Sequence, residues 1–128
     1  TVVAEAEFDR RRAQGQDLVL VGLPRNPSWL PRLPGGVVLT LDEFVVAGNA
    51  FKDRTDTFFG VFHHPEDAGR VAAVLLPLGP GGGEAAAAKL THYGRFSYLA
   101  FRNGVNQAKG FWPVTASPVV VRWDDPGT

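Results

Sequence analysis

With 128 residues, 45% of them hydrophobic and 20% charged, the chain has the composition of one ordinary globular domain, which argues against disordered and fibrous classes. Thirteen basic residues balance thirteen acidic ones. A neutral, interspersed charge lacks the electrostatic footprint of a nucleic-acid binder or of a polybasic membrane anchor.

Cysteine is absent, which removes disulfides, a thiolate nucleophile and cysteine-ligated zinc, and fits either an envelope or a cytosolic compartment. Methionine is absent too, so a chain opening Thr1-Val-Val-Ala is expected to be a processed product or a domain cut from a longer polypeptide. No stretch approaches the roughly 20 apolar residues of a membrane helix, and no basic-then-apolar leader precedes the fold. A soluble fragment without direct membrane insertion is expected, from a parent that can still carry a signal or an anchor.

Val2 to Gln14 reads as a helix with basic residues at its end, stopped by Gly15. Leu18-Val-Leu-Val-Gly-Leu23 is a continuous apolar run, the pattern of a parallel strand covered on both faces. Asn26 is placed to cap a short helix with Pro27 at its first position. Val37 to Leu41 follows Gly35-Gly36 as a strand, and Phe44 to Phe51 as a small hairpin turning at Gly48-Asn49. Strands are expected at Thr57 to His63 and Arg70 to Leu76, because Pro77 and Gly69 weigh against a helix there. After the Gly79 to Gly83 loop, Glu84 to Leu90 has strong helix propensity, with Gly94 as its stop. Phe96 to Phe101 is an aromatic strand, Asn103-Gly104 a two-residue hairpin turn, and Val105 to Trp112 the returning strand. Val119 to Trp123 is a final strand. This order predicts an α/β fold: a mixed β-sheet with helices packed on it in three layers, with one or two β-hairpins.

Several residues are candidates for chemistry, each with a plainer role beside it. His63 and His64 are half of a metal set, but successive strand residues point to opposite faces and the helical His-Glu-x-x-His signature is missing. His92, with Tyr93 or Tyr98 assisting, has the chemistry of a general acid or base, and equally that of a helix C-terminal cap. The glycine loop resembles a phosphate cradle, yet Glu84 stands where the Lys-Ser/Thr pair is needed. Asp42, Glu43, Asp53 and Asp56 offer carboxylates without calcium-loop spacing. Trp29, Trp112 and Trp123 suit either a ligand surface or a core. Arg95, Asn103, Asn106 and Lys109 gather near Tyr98 as a polar patch or as the wet side of the hairpin. The binding set drawn from these is Asn26, His92, Tyr93, Tyr98 and Lys109, with no catalytic residue, metal or cofactor assigned.

The run Lys89-Leu-Thr-His-Tyr-Gly-Arg-Phe-Ser-Tyr-Leu-Ala-Phe101, then Asn106-Gln-Ala-Lys-Gly-Phe-Trp-Pro113, resembles a segment of large bacterial proteins related to M1-type zinc aminopeptidases. His63-His-Pro65 and Gly69-Arg-Val71 are similar to the same pattern. In those proteins the segment belongs to a domain outside the catalytic part. The resemblance implies a non-catalytic accessory or interaction domain, with other domains of the parent chain as partners and the bacterial cell envelope or periplasm as its place. It transfers no zinc ligand or catalytic residue, since the helical zinc signature is not in this chain. The alternatives are a small-molecule or anion-binding module using a pocket beyond Leu18 to Leu23, near Asn26 and His92, and a small hydrolase built on His92 or His63.

Overall fold

The computed structural model describes residues 2–9, 11, 14–31, 33, 35–64 and 66–113, with the backbone alone at residue 68. The expected strand at Val119 to Trp123 lies outside them. Among the described residues the protein is mainly β, with 40% strand and one short α-helix, so the α/β expectation is corrected.

Eight strands are present among the described residues: β1 (Leu18–Val21), β2 (Val38–Leu39), β3 (Phe44–Val46), β4 (Asn49–Phe51), β5 (Asp56–His64), β6 (Asp67–Pro77), β7 (Tyr98–Arg102) and β8 (Val105–Gly110). A five-stranded sheet runs β1-β6-β5-β7-β8, and β2-β3-β4 form a second sheet. Only the β1–β6 pairing is parallel in the larger sheet. The long β5–β6 hairpin is its centre. Its β-branched and aromatic residues are strand formers, and Pro77 closes it as a helix interior would not permit.

The two faces of the large sheet are covered differently. On one, Phe58, Val74, Leu76 and Ala100 pack against Val37, Phe44, Val46 and Phe51 of the small sheet and its approach. Phe44 stacks on its cross-strand partner Phe51 at 4.9 Å and meets Phe58 at 5.6 Å, joining the sheets through three rings. On the other, α1 (Gly82–Ala87) and the 3-10 turn Leu90–Tyr93 bring Ala86, Leu90 and Tyr93 onto Leu99 and Phe101. The layer opposite the helix is therefore a sheet, not a second helical layer.

Two expected helices shrink to single 3-10 turns, Glu5–Glu7 and Pro27–Trp29. The first has one apolar anchor, Phe8 edge-on to Trp29 at 5.1 Å. Without an apolar stripe to bury, a short helix does not hold. The second has the expected Asn26 cap, whose side chain accepts from Ser28 N–H. Gly94 ends its turn in the right-handed region, at φ −60°.

Turn chemistry sets both hairpins. Asn103 and Gly104 have φ of 48° and 74°, as a two-residue turn matching strand twist requires. The small hairpin turns one residue earlier than expected, at Ala47-Gly48, with Ala47 at φ 51°. In β8 the register slips opposite Ala100/Phe101. Asn106 spans this bulge, its amide donating to the carbonyls of Ala100 and Ala108 at 3.2 and 2.9 Å.

Candidate functional site

Alternation along the strands fixes what each face of the large sheet presents. Leu18, Leu20, Ala72, Val74, Phe58 and Tyr98 point toward the small sheet side. Val19, Val21, Val71, Ala73, Leu75 and Val61 point the other way. Register then makes rows across the open face: Val21 beside Leu75 beside Phe59 beside Leu99, and Val19 beside Ala73 beside Val61.

The helix and its following turn cover only the Leu99 end of these rows. Val19, Val21 and Val71 are left 64%, 73% and 46% exposed. The expectation that Leu18 to Leu23 is covered on both faces is thus wrong: β1 alternates half-buried and exposed residues. Asp17 holds the strip in register by accepting the Val71 N–H at 2.9 Å.

The proposed binding residues do not form one site. Asn26 is exposed, capping its own turn, while its N–H and that of Arg25 donate to the Glu5 carboxylate at 3.1 and 2.8 Å. These two bonds, Arg25's first and Asn26's second, hold the Glu5 carboxyl below its ordinary 4.5. His92 is exposed on the helix side of the sheet. Asn26 therefore lies on the other side of the sheet from His92. Among the described residues no nucleophile or carboxylate bonds the His92 ring, so the geometry gives a hydrolase reading no support.

Tyr93 and Lys109 do come together. The Lys109 ammonium lies 5.9 Å from the Tyr93 ring centre and 5.3 Å from that of Phe96, with Phe111 stacked at 5.3 Å on Phe96. Tyr98 is on the opposite face, 5.0 Å from Trp112. Gly60 and Gly110 are its register partners on either side. A Cβ at Gly110 would run into the Tyr98 ring, and one at Gly60 would sit 2.9 Å from Phe58. Both glycines are thus spaces for aromatic rings lying flat on the sheet. Trp112 Nε1 donates to the Val61 carbonyl at 2.6 Å and fastens the end of β8 across β5. The Tyr98…Lys109-Gly-Phe-Trp112 pattern is explained by packing.

Other candidates are also structural. His63 is exposed, whereas His64 is half-buried and accepts the Glu66 N–H at 3.1 Å, with a register slip between the two histidines. Gly79 and Gly82 press onto the backbone of Arg54 and Thr55, where a Cβ would come within 2.6 and 2.7 Å of carbonyl oxygens. The glycine loop is a close-packed corner. No group of three or more metal-binding side chains occurs among the described residues, and no helix there is long and apolar enough to cross a membrane.

Sequence reasoning missed one charged pair. Asp56, one of the four carboxylates without calcium-loop spacing, is fully buried and accepts from Arg102 Nε at 2.7 Å, Arg102 Nη2 at 2.9 Å and Asp53 N–H at 2.9 Å. Its hydrogen bond, and then its charge, raise the pKa of the Arg102 guanidinium. The two residues are register partners across β5 and β7. The signal was opposite charges at the two strand ends, which carries meaning only once the pairing is known.

Comparison with known proteins adds no family: no family model, curated protein or solved structure matches this chain.

Proposed function

We propose that this chain is a non-catalytic accessory domain that docks through the open β1–β6 face onto a neighbouring domain of a larger polypeptide. One observation carries the reading: a contiguous aliphatic strip of Val19, Val21 and Val71 is exposed on a sheet whose other face packs on the small sheet through Phe58, Val74, Leu76 and Ala100. Exposed apolar residues that form a continuous patch on a sheet mark interaction surfaces, unlike singly scattered ones. The dispersal of Asn26, His92 and Tyr98 over both sides of the sheet supports the same reading, since a binding pocket needs converging polar groups. The resemblance to the accessory part of M1-type zinc aminopeptidase relatives supplies the kind of neighbour, a domain of the same polypeptide in the bacterial envelope.

The test is side-chain footprinting of Val19, Val21 and Val71 in the isolated domain and in the whole gene product. Several-fold weaker labelling of all three in the whole product is expected. Equal labelling in both, or a gene product holding no further domain, overturns the proposal.

A further inference from the structure

The free edge of β1 borders the open face, and Val19 and Val21 line the groove beside it as well. Gly22 N–H donates to the Leu75 carbonyl at 2.8 Å. Backbone groups alternate sides along a strand, so Leu18 and Leu20 also turn their N–H and C=O toward β6. Val19 and Val21 turn theirs outward, and β1 is the last strand of its sheet among the described residues. Natural proteins ordinarily protect such an edge with charge, proline or a covering segment. This edge has four apolar residues and no proline.

A groove of about 860 Å³ runs along it, floored by Leu18, Leu20 and Leu23, with Trp29 and Leu30 at one side. Its outer wall is the N-terminal segment, including Val3, Glu7 and Phe8. That wall is held in place by Glu5 on the amides of Arg25 and Asn26, and by Phe8 on Trp29. A walled groove of this kind admits one extended strand and obstructs the sheet edge of a second copy. Its described carboxylates include Glu7 and Asp17, and no lysine or arginine lines it among the described residues.

We infer that β1 is a strand-addition site: it takes an extended segment of a partner, with aliphatic side chains at alternate positions and a lysine or arginine at its ends. Outward N–H and C=O groups of Val19 and Val21 supply main-chain hydrogen bonds, the leucine floor takes alternate side chains, and the acidic positions favour the cation. This deepens the accessory-domain reading and rests on it, by naming the form in which a partner is grasped.

The probe is the capped peptide Lys-Val-Thr-Val-Thr-Val-Lys, titrated into the full 128-residue chain while backbone amide exchange is followed. Exchange at Val19 and Val21 should slow at least tenfold at saturation, with the core amides of Phe58 and Val74 unchanged. The same peptide with proline at its central valine should have no effect. Val21→Pro removes an outward N–H without breaking a bond to β6, so this variant should keep its fold and lose the response. No slowing with the valine peptide overturns the inference. So does slow exchange in the free chain, which at all concentrations means an edge paired from within and, if it grows with concentration, means pairing between copies. Footprinting that shows the open face covered, together with no response to the peptide, would leave the docking reading standing and remove the strand-addition site alone.

Discussion

The two faces of the five-stranded sheet are made from adjacent residues of the same strands, yet they have opposite fates. The small-sheet side buries Phe58, Val74, Leu76 and Ala100 beneath interlocked aromatic rings. Among the described residues, the helix side is covered where α1 and its turn reach Leu99 and Phe101, and Val19 and Val21 are left open. A β-strand is usually read as if its alternate positions meant core and solvent. Here both sets are apolar in β1, so hydrophobicity alone does not tell which set is closed.

The sharpest break of this comparison is a pair of substitutions on opposite faces. Phe58→Ala removes a fully buried ring and should cost about 3–5 kcal/mol in urea unfolding. Val21→Thr keeps a β-branched side chain on the open face and should change stability by no more than about 0.5 kcal/mol in the isolated domain. A Val21→Thr loss approaching that of Phe58→Ala would mean that the strip is covered, and the contrast between faces would fail.

Local signals made the central strands legible. The β5–β6 hairpin, the aromatic strand β7 and the Asn103-Gly104 turn follow from proline and glycine positions and from β-branched content, all readable within a short window. The covering layers were not legible, because they depend on contacts between distant segments. Phe44 and Phe51 read as a minor hairpin, and nothing local tells that their rings form the lid over Phe58. The helical expectation for Val2 to Gln14 rested on basic residues at its end and the Gly15 stop, and lacked the deciding fact that Phe8 anchors its described part on the Trp29 ring. Among the candidate site residues, Lys109 was expected near Tyr98, but strand alternation puts the two on opposite faces and Lys109 lies over Tyr93 and Phe96 instead. Asn26 and His92 do not meet either, since which side of a sheet a loop crosses is a property of topology.

Neighbouring residues 56 and 57 repeat the contrast with polar groups. On the small-sheet side, Asp56 is buried with its carboxylate fully engaged by Arg102 and the Asp53 amide. Asp56→Ala should lose about 2 kcal/mol, less than a wholly buried pair because the Arg102 side chain is 48% exposed and can be hydrated when left alone. On the helix side, Thr57 is buried and its hydroxyl has no hydrogen-bond partner. Thr57→Val keeps the shape and removes an unsatisfied group, so unfolding should show a gain of about 1 kcal/mol. A loss instead would mean that the hydroxyl has a partner in solution, and that the helix layer is better built than its incomplete cover suggests.

The smallest expected effect concerns the groove wall rather than either face. Glu5 is ionised in the folded protein below its ordinary value of 4.5, because the Arg25 and then the Asn26 amide bonds favour the carboxylate. A depressed carboxyl contributes stability that is present above 4.5 and is lost as pH falls through its lowered value. Acidification below 4.5 should therefore free the N-terminal segment from the Pro27–Trp29 turn before the sheets unfold. The indole N–H resonance of Trp29, whose ring meets Phe8, should shift in this window while that of Trp112, bonded to Val61, stays fixed. Asp53 is also held below its ordinary value, chiefly by the Thr55 hydroxyl, but it sits in a turn remote from Trp29. Glu5→Gln should abolish the Trp29 transition. If the transition survives in that variant, the Glu5 carboxylate is not what holds the wall of the groove along β1.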